Sequence, residues 1–96
     1  MYIVVSRWEA LPGKWSEFEA TGKKMRAAIR TWPEVEMVHG VRISEDAVFA
    51  IIGYKTEADY QRLIQAENGP FQQLAQQHNI ESIAKWVWSE RGEASE

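Results

Sequence analysis

Cysteine is missing from this 96-residue chain, which removes disulfides, thiolate nucleophiles and zinc–thiolate sites together. Histidine is scarce. His39 and His78 stand 39 positions apart with no second ligand at metal spacing, so no metal site is expected. A basic excess is missing too: 11 Lys and Arg face 14 Asp and Glu, a net charge of −3, the opposite of a nucleic-acid surface. No apolar run is long. The one around Val48–Ile52 falls far short of the roughly 18–20 residues that span a bilayer. The opening MYIVVSRWEA carries no basic region ahead of its short apolar stretch, unlike a signal peptide. A soluble cytoplasmic protein is expected, with neither a nucleic-acid nor a membrane partner. Linkers and low-complexity segments are absent as well, so residues 1–90 read as one domain and RGEASE, 91–96, as a solvated tail.

What is present is a core-forming composition, 45% hydrophobic, arranged in alternating periods. Residues 2–10, YIVVSRWEA, are β-branched and aromatic and stop at the turn signal Leu11-Pro12-Gly13, which predicts a strand. From Lys14 the period changes: Trp15, Phe18, Met25, Ala28, Ile29 and Trp32 recur at helical spacing. Pro33 ends that helix, because the residue before proline is pushed out of the α region. VEMVHGVRIS, 35–44, alternates as a second strand, with Val35, Met37, His39, Val41 and Ile43 on one face and Glu36 and Arg42 on the other. Glu36 and Arg42 are expected in a cross-strand or interface ion pair. After a turn at Glu45-Asp46, AVFAIIGYK is apolar on both faces and predicts a central strand. Thr56 caps a second helix, with Asp59 three residues on. The last strand is IESIAKWVWSE, in which Ala84, Trp86 and Trp88 are expected on one face.

The order β-α-β-β-α-β is the α+β ferredoxin-like arrangement, with an antiparallel sheet whose fourth strand lies beside the first. The second helix has an interruption in its middle. Asn68-Gly69-Pro70 splits a stripe that runs from Tyr60, Leu63 and Ile64 to Phe71, Leu74, Ala75 and His78. Tyr60 to Phe71 is close to a whole number of helical turns, so the stripe stays in phase across the break. The helix is predicted to be interrupted at 68–70 and redirected, with Phe71 facing the sheet. Space between a lifted helix and a sheet is a natural small-molecule site; a plain kink is the alternative.

Other families of this order do not fit. The position after the first strand holds ALPGKW, without a phosphate loop; the third strand lacks RNA-binding aromatics in a basic setting; and there is no CxxC. Three stretches carry a resemblance: LPGKWSEF after the first strand, IIGYKTEADYQRL through the third strand into the second helix, and NGPF at the helix break. On these, the chain resembles the dimeric α+β barrel superfamily, in particular its antibiotic-biosynthesis-monooxygenase-like domains. The resemblance implies a homodimer with sheets packed face to face. It also implies a small hydrophobic or aromatic ligand and oxygen chemistry on quinol-type substrates without a cofactor. Its haem-degrading branch is disfavoured, because Ser6, Leu63 and Ala75 stand where that branch has asparagine, tryptophan and histidine. Pro70 replaces the histidine of the family's Ser-Pro-His-Phe pattern.

The candidate pocket residues are Ser6, Trp8, His39, Tyr54, Leu63, Phe71 and His78. His39 is either a satisfied core histidine or a general base near neutral pH. His78 either caps the helix end or faces the pocket. Five tryptophans are many for this length, and aromatic walls suit planar ligands. The alternative to an enzyme is a non-catalytic dimeric ligand-binding or dimerisation module. A cavity reached by a titratable side chain separates the two.

Overall fold

The structure, a computed structural model, describes residues 1–95. Strand β1 (Tyr2–Ala10) leads through a turn, where Gly13 adopts φ +75, into helix α1 (Trp15–Ile29). Strands β2 (Val35–Arg42) and β3 (Ala47–Tyr54) form a hairpin closed by the Ser44 Oγ–Asp46 Oδ1 hydrogen bond of 3.0 Å. Helix α2 (Glu57–Tyr60) starts as expected, with Thr56 Oγ1 accepting from the Asp59 N–H at 3.1 Å. It widens into a π turn over Gln61–Gln65 and stops; helix α3 (Pro70–Gln77) follows, and then β4 (Ala84–Glu93). The sheet is antiparallel in the order β2-β3-β1-β4, both helical layers cover one face, and the fold is ferredoxin-like.

The buried side chains gather in two clusters. Phe18, Met25 and Ile29 of α1 pack with Val38, Val48, Leu74, Ile80 and Ile83; Tyr2, Val4, Tyr54, Tyr60 and Leu63 form the second. Only partly buried side chains, Trp32, Val35 and Ile52, touch both.

Two bulges redirect side chains that simple alternation assigns otherwise. In β2 the register shifts at Glu36, so Val35 and Val38 both pack under the helices, while Met37, His39 and Val41 turn to the uncovered face. In β4 Val87 is skipped: Arg7 pairs with Trp88 but Trp8 with Trp86. The two tryptophans therefore lie on opposite faces, not on one. Trp86 borders the helix-covered side, and Trp88 packs at a tilt of 59° against Phe49 of the uncovered side, ring centroids 5.5 Å apart. Arg42 makes no ion pair with Glu36; it donates to the Ser44 and Glu45 carbonyls and lies 3.9 Å above the Trp15 ring.

The chain ends also differ from expectation. Ile80–Ser82 form a 3-10 turn, so β4 starts later. It also runs further, because Arg91, Gly92 and Glu93 pair with Val4, Ile3 and Tyr2, making strand of what read as tail. Of that tail, Glu96 lies outside the described residues. Among the described residues no helix is long and apolar enough to cross a membrane, and no group of three metal-ligating side chains converges.

Candidate functional site

The helix break produces the cavity. Ala66 turns extended (φ −64, ψ 131), Asn68 takes the left-handed region at φ 57, and Gly69 caps α3 with Pro70 as its first residue. Proline suits that position, where its missing N–H would have had no helical acceptor anyway. Gly69 is required for a different reason. A Cβ there would sit 2.9 Å from the Ala66 carbonyl oxygen and 3.2 Å from that of Arg62, backbone atoms that cannot step aside. Before the break, the π turn bonds the Ala66 N–H to the Gln61 carbonyl at 2.9 Å, i to i+5. The wide turn presents Ile64 and Gln65 to the space beneath, and such turns are frequent at functional sites.

Between α1, the broken helix and the sheet lies a cavity of about 560 Å³, within the range of small-molecule sites. Its floor is one row of residues crossing all four strands. Gly40 pairs with Ala50, Ala50 with Ser6, and Ser6 with Ser89. All four are small. The rows on either side are larger: Arg42, Val48, Trp8 and Trp86 on one flank, Val38, Ile52, Val4 and Arg91 on the other. The sheet thus carries a transverse trench, which α1 roofs with Phe18, Met25 and Ile29 and the broken helix with Ile64 and Phe71.

Polar groups are few and placed. Ser6 Oγ and Ser89 Oγ are 2.6 Å apart, and Trp86 Nε1–H donates to Ser89 Oγ at 2.8 Å. One hydroxyl proton makes the serine–serine bond, which leaves the other free for a ligand. Arg26 of α1 borders the other end of the trench. Burial lowers its pKa from the usual guanidinium value; nearby Arg30 acts the same way, and Glu19 opposes both. Arg91 lies over the Tyr60 ring at 5.4 Å, and the negative charge that Tyr60 can carry raises its pKa. Tyr54 also borders the cavity; burial, then the neighbouring Tyr60, raises its pKa above the ordinary phenol value. At neutral pH Tyr54 is a neutral hydroxyl, a hydrogen-bond donor and not a base.

Of the seven candidates, Ser6, Trp8, Tyr54 and Phe71 border the cavity. The other three do not. Leu63 is buried with Tyr60 in the second core cluster and does not reach the cavity. His78 caps the C-terminus of α3, its N–H on the Leu74 carbonyl. His39 is exposed on the uncovered face of β2, where the Glu36 bulge places it. Among the described residues no Asp, Glu or His lines the cavity. Sequence reading missed Arg26, Ala50, Ser89 and Arg91. Cross-strand register is the signal that finds Ala50, Ser89 and Arg91, and the bulge at Val87 hides it for the two in β4; Arg26 lies on α1, where register says nothing.

No protein-family model and no curated protein matches the chain. Solved structures do match. A candidate antibiotic biosynthesis monooxygenase of Chloroflexus aurantiacus superimposes with a TM-score of 0.75 at 9% identity, over 99% of this chain and 93% of that one. SnoaB, a cofactor-independent oxygenase of Streptomyces nogalater, gives 0.72 at 15% identity, over 99% and 93%. A Pseudomonas aeruginosa protein gives 0.76 at 13% identity, over 99% and 94%. The chain thus has the fold of the antibiotic-biosynthesis-monooxygenase-like proteins.

Proposed function

We propose that this chain is a cytoplasmic, homodimeric enzyme that binds a small aromatic, quinol-type molecule in the trench and oxygenates it without a cofactor. The observation that carries the reading is the trench itself: an apolar space of about 560 Å³ over small residues, with polar groups only at chosen points. The likeness to SnoaB supplies the reaction class as a proposal. In such a reaction the substrate is its own reductant. One atom of O₂ enters the ring system and the other leaves as water, balanced by the two hydrogens the substrate loses. The protein's part is to ease loss of the first proton and to keep water out. The Arg91 guanidinium on the trench flank lowers the pKa of a phenol beside it, and the Ser6–Ser89 pair hydrogen-bonds a substrate oxygen. The uncovered sheet face, bearing Phe49, Val41 and Trp88, is the proposed dimer contact. Trp88 is 37% exposed in the single chain.

A second reading has an observation in its favour. Among the described residues the cavity wall offers no carboxylate or imidazole to take the proton, which suits a ligand-binding module. Oxygen uptake by the purified protein with anthrones and naphthohydroquinones, read beside tryptophan quenching by the same compounds, separates the two. Uptake above the uncatalysed rate supports the enzyme. Quenching without uptake supports the binder. Neither signal with any compound overturns both.

A further inference from the structure

The chain has six arginines, and five have partners. Arg7 pairs with Glu9, Arg62 with Glu34 and Asp59, Arg30 donates to the Val38 carbonyl, Arg42 to those of Ser44 and Glu45, and Arg91 rests on Tyr60. Arg26 finds no acceptor among the described residues. Its guanidinium instead occupies a place that only glycines leave open. A Cβ on Gly40 would come within 2.5 Å of Arg26 Cζ, and one on Gly22 within 3.0 Å of Nη1. A helix residue and a strand residue have both given up their side chains around one cation. The guanidinium is half-buried there, with Glu19 acting on it only through its charge and not by a hydrogen bond, so its N–H donors stay open toward the trench for an acceptor supplied from outside.

The trench fixes where the rest of that molecule lies. Gly40, beneath Arg26, and Ser89 stand three strands apart in one row, about 14 Å at the usual strand spacing. Arg26 marks one end and the Ser6–Ser89 hydroxyls the other, with Ala50 between them and Trp8 and Trp86 along one side. From this we infer that the ligand is a flat aromatic acid of two or three fused rings lying across the strands, its carboxylate on Arg26 and a neutral oxygen on the Ser6–Ser89 pair. The inference rests on the trench being the ligand site, as proposed above, and goes further in assigning the ligand's charge and direction. A carboxylate matches the two-pronged donor geometry of arginine. Partial desolvation of the guanidinium strengthens the pairing.

The test compares anthraquinone-2-carboxylate with the uncharged anthraquinone-2-carboxamide, read by tryptophan quenching in wild type, Arg26→Gln and Gly40→Ala. Both variants are checked for unchanged thermal melting. The acid is expected to bind wild type more tightly than the amide. Arg26→Gln should weaken the acid by about tenfold or more and leave the amide nearly unchanged. Gly40→Ala keeps the charge but pushes the flexible guanidinium off its seat, and the same selective loss is expected. If acid and amide bind alike, or the acid is unaffected in both variants, the inference fails while the trench stands as a binding site. If neither compound binds wild type, the trench reading falls with it.

Discussion

The two faces of the sheet are built from the same strands, yet they invert each other's sizes. On the helix-covered face one row reads Gly40, Ala50, Ser6, Ser89; on the other, the adjacent row reads Val41, Phe49, Arg7, Trp88. Neighbours in sequence, such as Phe49 and Ala50, serve opposite purposes because successive side chains point to opposite faces. A face meant only to pack against helices would carry its larger residues there. This one keeps them on the uncovered side and leaves a gap under the helices. Volume has been removed from the core and placed where a second surface can cover it.

Exchanging size between those two neighbours should separate the faces most sharply. Ala50→Phe fills the trench and is expected to abolish quenching by any flat ligand. Because the space is already empty, its stability cost should stay below the ~1–3 kcal/mol typical of overpacking. Phe49→Ser should leave ligand binding intact and weaken self-association by about 2 kcal/mol or more, the loss typical of a central interface aromatic. Light scattering of wild type at micromolar concentration should give twice the 11.1 kDa chain mass, with Phe49→Ser shifted toward the monomer. A wild-type monomer would remove the dimer from the proposal and leave the trench untouched.

This difference between faces was only half legible in the sequence. Element order, the Thr56 cap, the central position of β3 and the interruption before Phe71 all follow from periodicity and turn chemistry, which are local. Face assignment in β2 and β4 does not. One skipped residue at Glu36 and one at Val87 flip everything beyond them, and nothing in VEMVHGVRIS or IESIAKWVWSE marks the skip. Simple alternation for that reason puts His39 on the covered face, and Trp86 and Trp88 together on one face. The small-residue row is non-local in a stronger sense. Its members come from four strands, and each looks unremarkable in its own segment.

The break in the second helix offers a smaller test of how the covered face is kept open. Gly69 and Pro70 read alike as helix breakers, but the structure gives them unequal weight. Gly69→Ala forces a Cβ onto the Ala66 and Arg62 carbonyls and should cost about 1–3 kcal/mol, a fall in Tm of at least roughly 4 °C for a domain of this size. Pro70→Ala removes only a preset φ and should cost less than ~1 kcal/mol. A thermal melt in which Pro70→Ala falls as far as Gly69→Ala would mean that proline sets the break as much as glycine does.

The least of the expected effects concerns Tyr54, where the trench meets the second core cluster. Burial holds its hydroxyl neutral, with its pKa raised in the folded chain above the ordinary value of about 10. The sign follows from linkage. Below the ordinary phenol pKa both states keep the proton, and the shift has no effect on how stability changes with pH. As pH rises past it, the unfolded chain releases the proton while the folded chain retains it. The unfolded state is then favoured, so stability falls with increasing pH. Tyr54→Phe removes the group that titrates. Its Tm should therefore decline less steeply than that of wild type above about pH 10, after any constant offset from the lost hydroxyl is subtracted. Among the described residues the uncovered face holds no tyrosine, so a substitution there such as Phe49→Ser should leave the alkaline slope unchanged. Parallel slopes for wild type and Tyr54→Phe would mean that water entering the trench already solvates the Tyr54 hydroxyl, and that this end of the covered face is wetter than its burial implies.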